Sequence, residues 1–260
     1  FKLGNKEKAL QLKDKTSQLK VSTKELKDGL HKTETALKEI LLQLPNVPNV
    51  EVPCGNSAGD NLIIKEHGEF PVLEKSALAH WELADKYKLI DFELGVKITG
   101  AGFPVYLGKG AILQRALINF FLDEAISNGY QEVIPPLLVN EQSAYGTGQL
   151  PDKEGQMYYV NEDNLYLIPT GEVPITNIFR DVVVNKNDFP IKNVGYTPCF
   201  RREAGSYGKD VRGLNRVHQF DKVEIVQITH PKESYSALTA MVNYVSSLLE
   251  KLELPYRVAK

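Results

Sequence analysis

Cysteine is scarce: Cys54 and Cys199 are the only two in 260 residues, 145 positions apart, so neither a CxxC redox or zinc pair nor a disulfide framework is present. No run approaches the roughly 18 uninterrupted apolar residues of a membrane helix, and the opening FKLGNKEKAL lacks the basic-then-apolar order of a secretory signal. These absences lead to the expectation of a reducing, cytoplasmic setting and no membrane partner. HExxH does not occur, the GxSxG match at Gly55–Gly59 follows the proline-marked stretch rather than a strand and so places no serine nucleophile, and the five histidines show no metal spacing, which leaves metal hydrolysis and acyl-serine chemistry without support. Gly102 to Gly108 followed by Lys109 imitates a phosphate-binding loop. Its spacing is one residue too long, however, and Gly110 stands where the magnesium-holding Ser or Thr is required.

What is present is 42% hydrophobic and 25% charged, enough for a full-sized core. The net charge of -2 conceals an asymmetry. Residues 1–44 carry ten Lys and no Arg against six acids, so this segment is basic and the rest acidic. Ala9, Leu12, Thr16, Leu19, Thr23, Leu26, Leu30, Thr33, Leu37, Ile40 and Leu44 occupy successive a and d positions of a heptad register. The register predicts one long helix with a narrow apolar seam whose natural mate is another helix. Such a helix is either a lysine-rich solvated rod or one limb of an arm that meets a polyanion. Lysine without arginine or aromatics attracts phosphate but reads little base sequence.

Pro45, Pro48 and Pro53 in PNVPNVEVP forbid helix continuation and mark a linker at 45–60. Beyond it, helix-like stretches fall near 76–88, 109–128, 172–184 and 232–252, and strand-like runs near 131–134, 165–168, 193–202 and 218–228. Without a regular βαβ repeat, this order predicts an α+β domain over 61–260, with a mixed, mainly antiparallel sheet and flanking helices.

The chemistry concentrates in 193–228, NVGYTPCFRREAGSYGKDVRGLNRVHQFDKVEIVQI. Strand alternation puts Cys199, Arg201 and Glu203 on one face of the first run, and Phe220, Lys222 and Glu224 on one face of the second. Between them, 204–216 reads as a long basic hairpin loop. Opposite charges and an aromatic sharing a sheet surface suit a ligand bearing phosphates, an aromatic base and an ammonium. A cross-strand salt-bridge network on a solvated face has the same pattern.

Phe200-Arg201-Arg202-Glu203, the loop end Arg216-Val217-His218-Gln219-Phe220 and Asp221-Lys222-Val223-Glu224 resemble motif 2 of class II aminoacyl-tRNA synthetases, in the form found in seryl-tRNA synthetases. LIPTGEVPITN at 167–177 resembles that family's serine-binding TxE segment, with Gly171 where alanine is usual. Gly108 through VIPP at 133–136 resembles motif 1, a long helix and strand that form a homodimer interface. The heptad helix with PNVPNVEVP resembles the returning limb of a tRNA-binding coiled-coil arm.

The resemblance, covering essentially the whole chain, implies an enzyme that activates L-serine with ATP and passes the seryl group to serine tRNA. It also implies roles for single residues. Arg201 would bridge carboxylate and α-phosphate, Glu203 would accept from the adenine amino group, and Phe220 would stack on adenine. Arg216 would meet the γ-phosphate, with Arg202 beside the nucleotide and Val217 adding a main-chain contact. Glu224 would pair with the α-ammonium of serine, while Thr170, Gly171 and Glu172 close its pocket. ATP would come with Mg2+, whose main ligands belong to a third motif expected beyond Lys260; a first arm helix is likewise expected before residue 1. The alternative is a synthetase-like binding or regulatory protein without turnover. An inactive homologue is expected to lose Arg201 or Glu224, and both are here.

Overall fold

The computed structural model describes residues 6–203 and 212–260, which fall into two compact units, 1–61 and 62–260. In the first, α1 (Lys6–Leu41) is one unbroken helix of 36 residues with no buried residue. Its predicted seam lies open along the whole length: Leu26 is 72% exposed, and Leu12, Leu19, Leu30, Leu37 and Ile40 are exposed too. Thr16 and Thr33 turn their hydroxyls back to the carbonyls of Leu12 and Gly29, so these seam positions spend their polar atoms on the helix itself. The helix stops four residues before Pro45, after which the chain is irregular.

The second unit is mixed α and β, mainly antiparallel. Its centre is the antiparallel pair β8 (Ile191–Phe200) and β9 (Gln219–Ile228), ten residues each, with β4 (Gln131–Glu132) added in parallel to β8. A second sheet orders β5 (Leu138–Val139), β7 (Leu165–Leu167) and β6 (Tyr159–Val160). Two antiparallel pairs complete the sheets, β1 (Ile63–His67) with β10 (Tyr256–Ala259) and β2 (Ile90–Asp91) with β3 (Val105–Tyr106).

Alternation gives β8 and β9 two different faces. One carries Val194, Val223 and Ile225 onto Leu122 and Ala125 of α4 (Gly108–Ser127), Tyr130, and Tyr244 of α7 (Ser234–Lys251). On that face the Tyr196 hydroxyl donates to Asp221 Oδ1 at 2.7 Å, and burial first, then Asp221, pushes the phenol up to about 12. The other face carries Gly195, Thr197 and Cys199 opposite Glu224, Lys222 and Phe220.

Of the glycines around the imitated phosphate loop, Gly102 and Gly110 serve packing instead. A Cβ on Gly110 would lie 2.1 Å from the Leu89 carbonyl oxygen, and one on Gly102 would lie 2.3 Å from the His218 ring. Two expected elements are shorter than their apolar patterns. The helix foreseen over 172–184 is α6 (Glu172–Asn177) alone, because the chain turns there and Asp181 is left-handed at φ +59°. Strand β8 ends at Phe200, but the Arg201 amide still bonds the His218 carbonyl and its guanidinium lies over Phe220, on the face of Cys199, before Glu203 at φ +46° turns the chain. Eight short elements carry no readable period: α3 (Phe92–Ile98), α5 (Glu141–Gly146), β1, β2, β3, β5, β6 and β10.

Candidate functional site

Gly195 sets the site's architecture. A Cβ there would meet Ile175 Cδ1 at 2.8 Å, so its absence lets α6 settle on the sheet with 170–172 directly over Glu224. Thr170, only 4% exposed, then uses all three hydrogen-bonding capacities of its hydroxyl. It donates to Glu224 Oε2 at 2.5 Å and accepts from Lys222 Nζ at 2.9 Å and from the Glu172 amide at 3.2 Å. Glu224 Oε2 also accepts from the Glu172 amide at 3.0 Å, and Glu224 Oε1 pairs with Lys222 Nζ at 3.2 Å.

The charges of this cluster do not balance. Two carboxylates, Glu172 and Glu224, face one ammonium, Lys222, so the pocket lacks one positive charge. Burial, with Glu224 next and Lys222 opposing, holds the Glu172 carboxyl above the ordinary carboxylate range. Cys199 lies fully buried on the same face, its thiol 3.4 Å from Thr197 Oγ1 and pushed up by burial, which keeps it protonated and inert. Gly171 is tightly seated: a Cβ would lie 3.0 Å from Thr197 Oγ1, so its departure from alanine is felt by the floor of the pocket.

Arg201 is held beside this pocket from three directions. Its amide donates to the His218 carbonyl at 2.9 Å, its Nε to the Pro169 carbonyl at 3.3 Å, and its guanidinium carbon sits 5.1 Å over the Phe220 ring. His218 is itself fixed, stacked on Phe103 and bonded through Nδ1 to the Tyr158 hydroxyl at 2.9 Å. Arg216 Nη1 pairs with Glu203 Oε2 at 3.2 Å.

Together these groups line an open cleft of about 540 Å³, formed by Gln149, Glu154, Gln156, Pro169, Thr170 and Glu172 on one side and Arg201, Glu203, Asn215, Arg216 and Lys222 on the other. The structure thus brings Thr170, Glu172, Arg201, Glu203 and Arg216 to one cleft, with Glu224 bonded to its wall and Phe220 beneath Arg201. Two expected residues stand apart. Arg202 is exposed, with its amide on the Gln156 carbonyl, and Val217 is buried at 7% exposure without lining the cleft. Of the predicted loop at 204–216, residues 204–211 lie outside the described residues.

Several lining residues carry no sequence signal. Gln149, Glu154 and Gln156 come from a segment pinned by Asp152, whose carboxylate accepts from the amides of Gln156 at 2.9 Å and Met157 at 2.8 Å. Alternation places Lys222 on the right face, but its double contact depends on 170–172 folding over it. Among the described residues no group of three or more His, Cys, Asp or Glu could hold a metal ion, and no helix is long and apolar enough to cross a membrane.

The mixed, mainly antiparallel sheet that carries this arginine, its aromatic and the carboxylate pocket has the class II aminoacyl-tRNA synthetase fold. Residues 157–260 match the family described as tRNA synthetase class II core domain (G, H, P, S and T). The chain is 53% identical over 228 residues to the serine–tRNA ligase of Salinibacter ruber, covering 88% of this chain and 53% of that protein. It is 52% identical over 233 residues to that of Prosthecochloris aestuarii, covering 89% of this chain and 54% of that one.

Among solved structures, seryl-tRNA synthetase from Pyrococcus horikoshii complexed with ATP superposes with a TM-score of 0.86 at 33% identity, over 90% of this chain and 57% of that one. Cytoplasmic serine–tRNA ligase from Naegleria fowleri in complex with AMP gives 0.82 at 27%, over 90% and 56%. The chain is similar to seryl-tRNA synthetases over most of its length, and it spans about half the length of the curated relatives it matches.

Proposed function

We propose that this chain carries the serine-activating site of a cytoplasmic serine–tRNA ligase, which joins L-serine to ATP as seryl-adenylate and then transfers the seryl group to the 3′ end of serine tRNA. The observation that carries the reading is the pocket one positive charge short, formed by Glu224, Glu172, Thr170 and Lys222, beside Arg201 on Phe220. An α-ammonium supplies the missing charge. In the first step a serine carboxylate oxygen forms a bond to the α-phosphorus, the bond from that phosphorus to the bridging oxygen breaks, and pyrophosphate leaves with its electron pair.

Two anions must approach for this, and a guanidinium between them supplies forked donors and offsets the charge of the transition state. Arg201 takes that role. Phe220 offers a face to adenine and Glu203 accepts from its amino group, while Arg216 exchanges its bond to Glu203 for the γ-phosphate. Val217 contributes its main chain and Arg202 lies at the nucleotide's edge. Thr170, Gly171 and Glu172 close the pocket over serine. A site that hydrogen-bonds a substrate hydroxyl rejects the analogue lacking it by roughly 10⁴-fold, since its own buried groups would be left unpaired. ATP relatives support the nucleotide assignment: the Pyrococcus structure holds ATP and the Naegleria structure AMP. Mg2+ would accompany the triphosphate and neutralise its charge.

In this reading residues 1–44 form the tRNA-contacting limb of a coiled-coil arm, 45–60 the linker, and 61–260 catalytic-domain sequence that dimerises through Gly108–Pro136. The test is ATP–pyrophosphate exchange with serine, alanine and threonine offered in turn. Exchange with serine alone is expected; exchange independent of the amino acid, or stronger with alanine, would overturn the assignment.

A further inference from the structure

The segment 212–216 delivers Asn215 and Arg216 to the cleft, and one of its hydrogen bonds goes to a residue with no role in the site. The Leu214 amide donates to Nε2 of His80, the first residue of α2 (His80–Lys86), at 2.8 Å across 134 positions of sequence. Gly213 fits against the same nitrogen. It is left-handed at φ +71°, and a Cβ there would lie 2.1 Å from His80 Nε2, so both its conformation and its lack of a side chain are needed for the contact.

The imidazole is an exposed acceptor at the start of an ordered helix. Trp81 meets it edge-on at 5.0 Å between centroids, the Glu82 carboxylate closes the helix start on the Ala79 amide at 2.7 Å, and Ala84, 5% exposed, anchors α2 in the core. For Nε2 to accept, the ring must carry its proton on Nδ1.

We propose that His80 is a positioning residue, which fixes the backbone two residues before Arg216 and thereby presents that guanidinium to the triphosphate. This rests on the reading of Arg216 as a phosphate contact. Without the bond, 213–216 samples more positions, and ordering it on each binding event costs nucleotide affinity. Neutral hydrogen bonds of this kind are worth about three- to tenfold in an equilibrium.

The experiment compares His80→Ala and His80→Gln in the full 260-residue chain, reading hydrogen exchange at the Leu214 amide and ATP affinity by calorimetry. His80→Ala should speed Leu214 exchange and weaken ATP binding, each by about three- to tenfold. His80→Gln, whose Oε1 can stand where Nε2 stood, should restore both, which a merely structural role would not require. Gly213→Ala attacks the bond from the other side without touching α2 and should reproduce the His80→Ala result. Unchanged Leu214 exchange in both His80→Ala and Gly213→Ala overturns the latch. Faster exchange with unchanged ATP affinity overturns its link to Arg216. A parent chain that binds no ATP overturns the nucleotide reading and with it that link, while Leu214 exchange still decides the latch.

Discussion

The Thr170 hydroxyl and the Glu224 carboxylate meet at 2.5 Å although 54 residues separate them. This bond ties the segment before α6 to the middle of β9. Because Thr170 also accepts from Lys222 and from the Glu172 amide, the four groups form one unit and cannot be perturbed singly.

Thr170→Val keeps the shape and removes the hydroxyl, leaving Glu224 one donor short and Lys222 one acceptor short. Loss of a partner to charged, partly buried groups costs about 1–3 kcal/mol. Urea unfolding should show that loss, and serine affinity should fall with it. Unfolding at the parent's midpoint would mean that water replaces the hydroxyl without cost.

Glu172 makes the site pH-dependent in a defined sense. Its carboxyl titrates above the unfolded value of 4.5 because burial, and then Glu224, disfavour the charge. Between the unfolded and folded values the native state holds more proton than the unfolded chain, so this group's contribution to stability is lost as pH rises through that window. Glu172→Gln should remove that part of the slope and gain stability relative to the parent above the window. Glu224→Gln should lower the Glu172 titration followed by NMR. A Glu172 titration unmoved by that change would show that burial alone raises it.

Arg201→Lys keeps the charge but loses the fork and the broad stacking surface on Phe220. Pyrophosphate exchange should fall at least about tenfold, as expected for a charge-assisted bond of about 1.5–3 kcal/mol removed from the transition state, with the unfolding midpoint held within the scatter of surface substitutions. Near-parent exchange would remove Arg201 from the reaction.

The central hairpin is legible in the sequence because β8 and β9 are long and alternate cleanly, an alternation that reaches Arg201 over Phe220 and stops at the turn of Glu203. The pocket is legible through the resemblance of 167–177 rather than through its pattern: nothing in PTGEVP indicates that Thr170 lies over Glu224. What stays hidden depends on distant pairings. β1 and β10 have five and four residues and find each other across almost the whole unit, with Lys65 opposite Val258. His80 reads as an ordinary surface histidine, because its partner is a main-chain amide that no side-chain motif encodes. Gly95 and Gly110 give no packing signal in the sequence, yet both sit inside helices where a Cβ would strike a backbone carbonyl, at 1.6 Å from Phe103 and 2.1 Å from Leu89.

Gly171 supplies a test of coupling within the pocket. Its backbone is right-handed at φ -64°, so alanine is limited by space rather than conformation: the nearest atom, Thr197 Oγ1 at 3.0 Å, must give by a few tenths of an ångström. Overpacking of this kind costs about 1–3 kcal/mol when the neighbour cannot move, and Thr197 is fully buried. Gly171→Ala should destabilise the parent, and much less so in a Thr197→Ala background. Additive effects in the double-mutant cycle would show that the neighbour gives way freely.

Residues 1–44 supply the last prediction. Ten lysines without an arginine make a segment that attracts phosphates without reading bases, and every seam leucine of α1 from Leu12 to Leu37 is exposed. The cleft, in contrast, is lined by residues of the second unit alone. Deleting 1–44 should therefore leave ATP binding and the main unfolding transition unchanged, yet weaken binding of serine tRNA. The weakening should be electrostatic in form: log affinity against log salt should become shallower by about 0.7–0.9 for each phosphate that the lysines no longer neutralise. Weaker binding with an unchanged salt slope would point to apolar packing by the seam instead of phosphate neutralisation by the lysines. Unchanged affinity and slope would free the arm from any part in tRNA binding. Loss of ATP binding on deletion would contradict the separation of the two units' tasks.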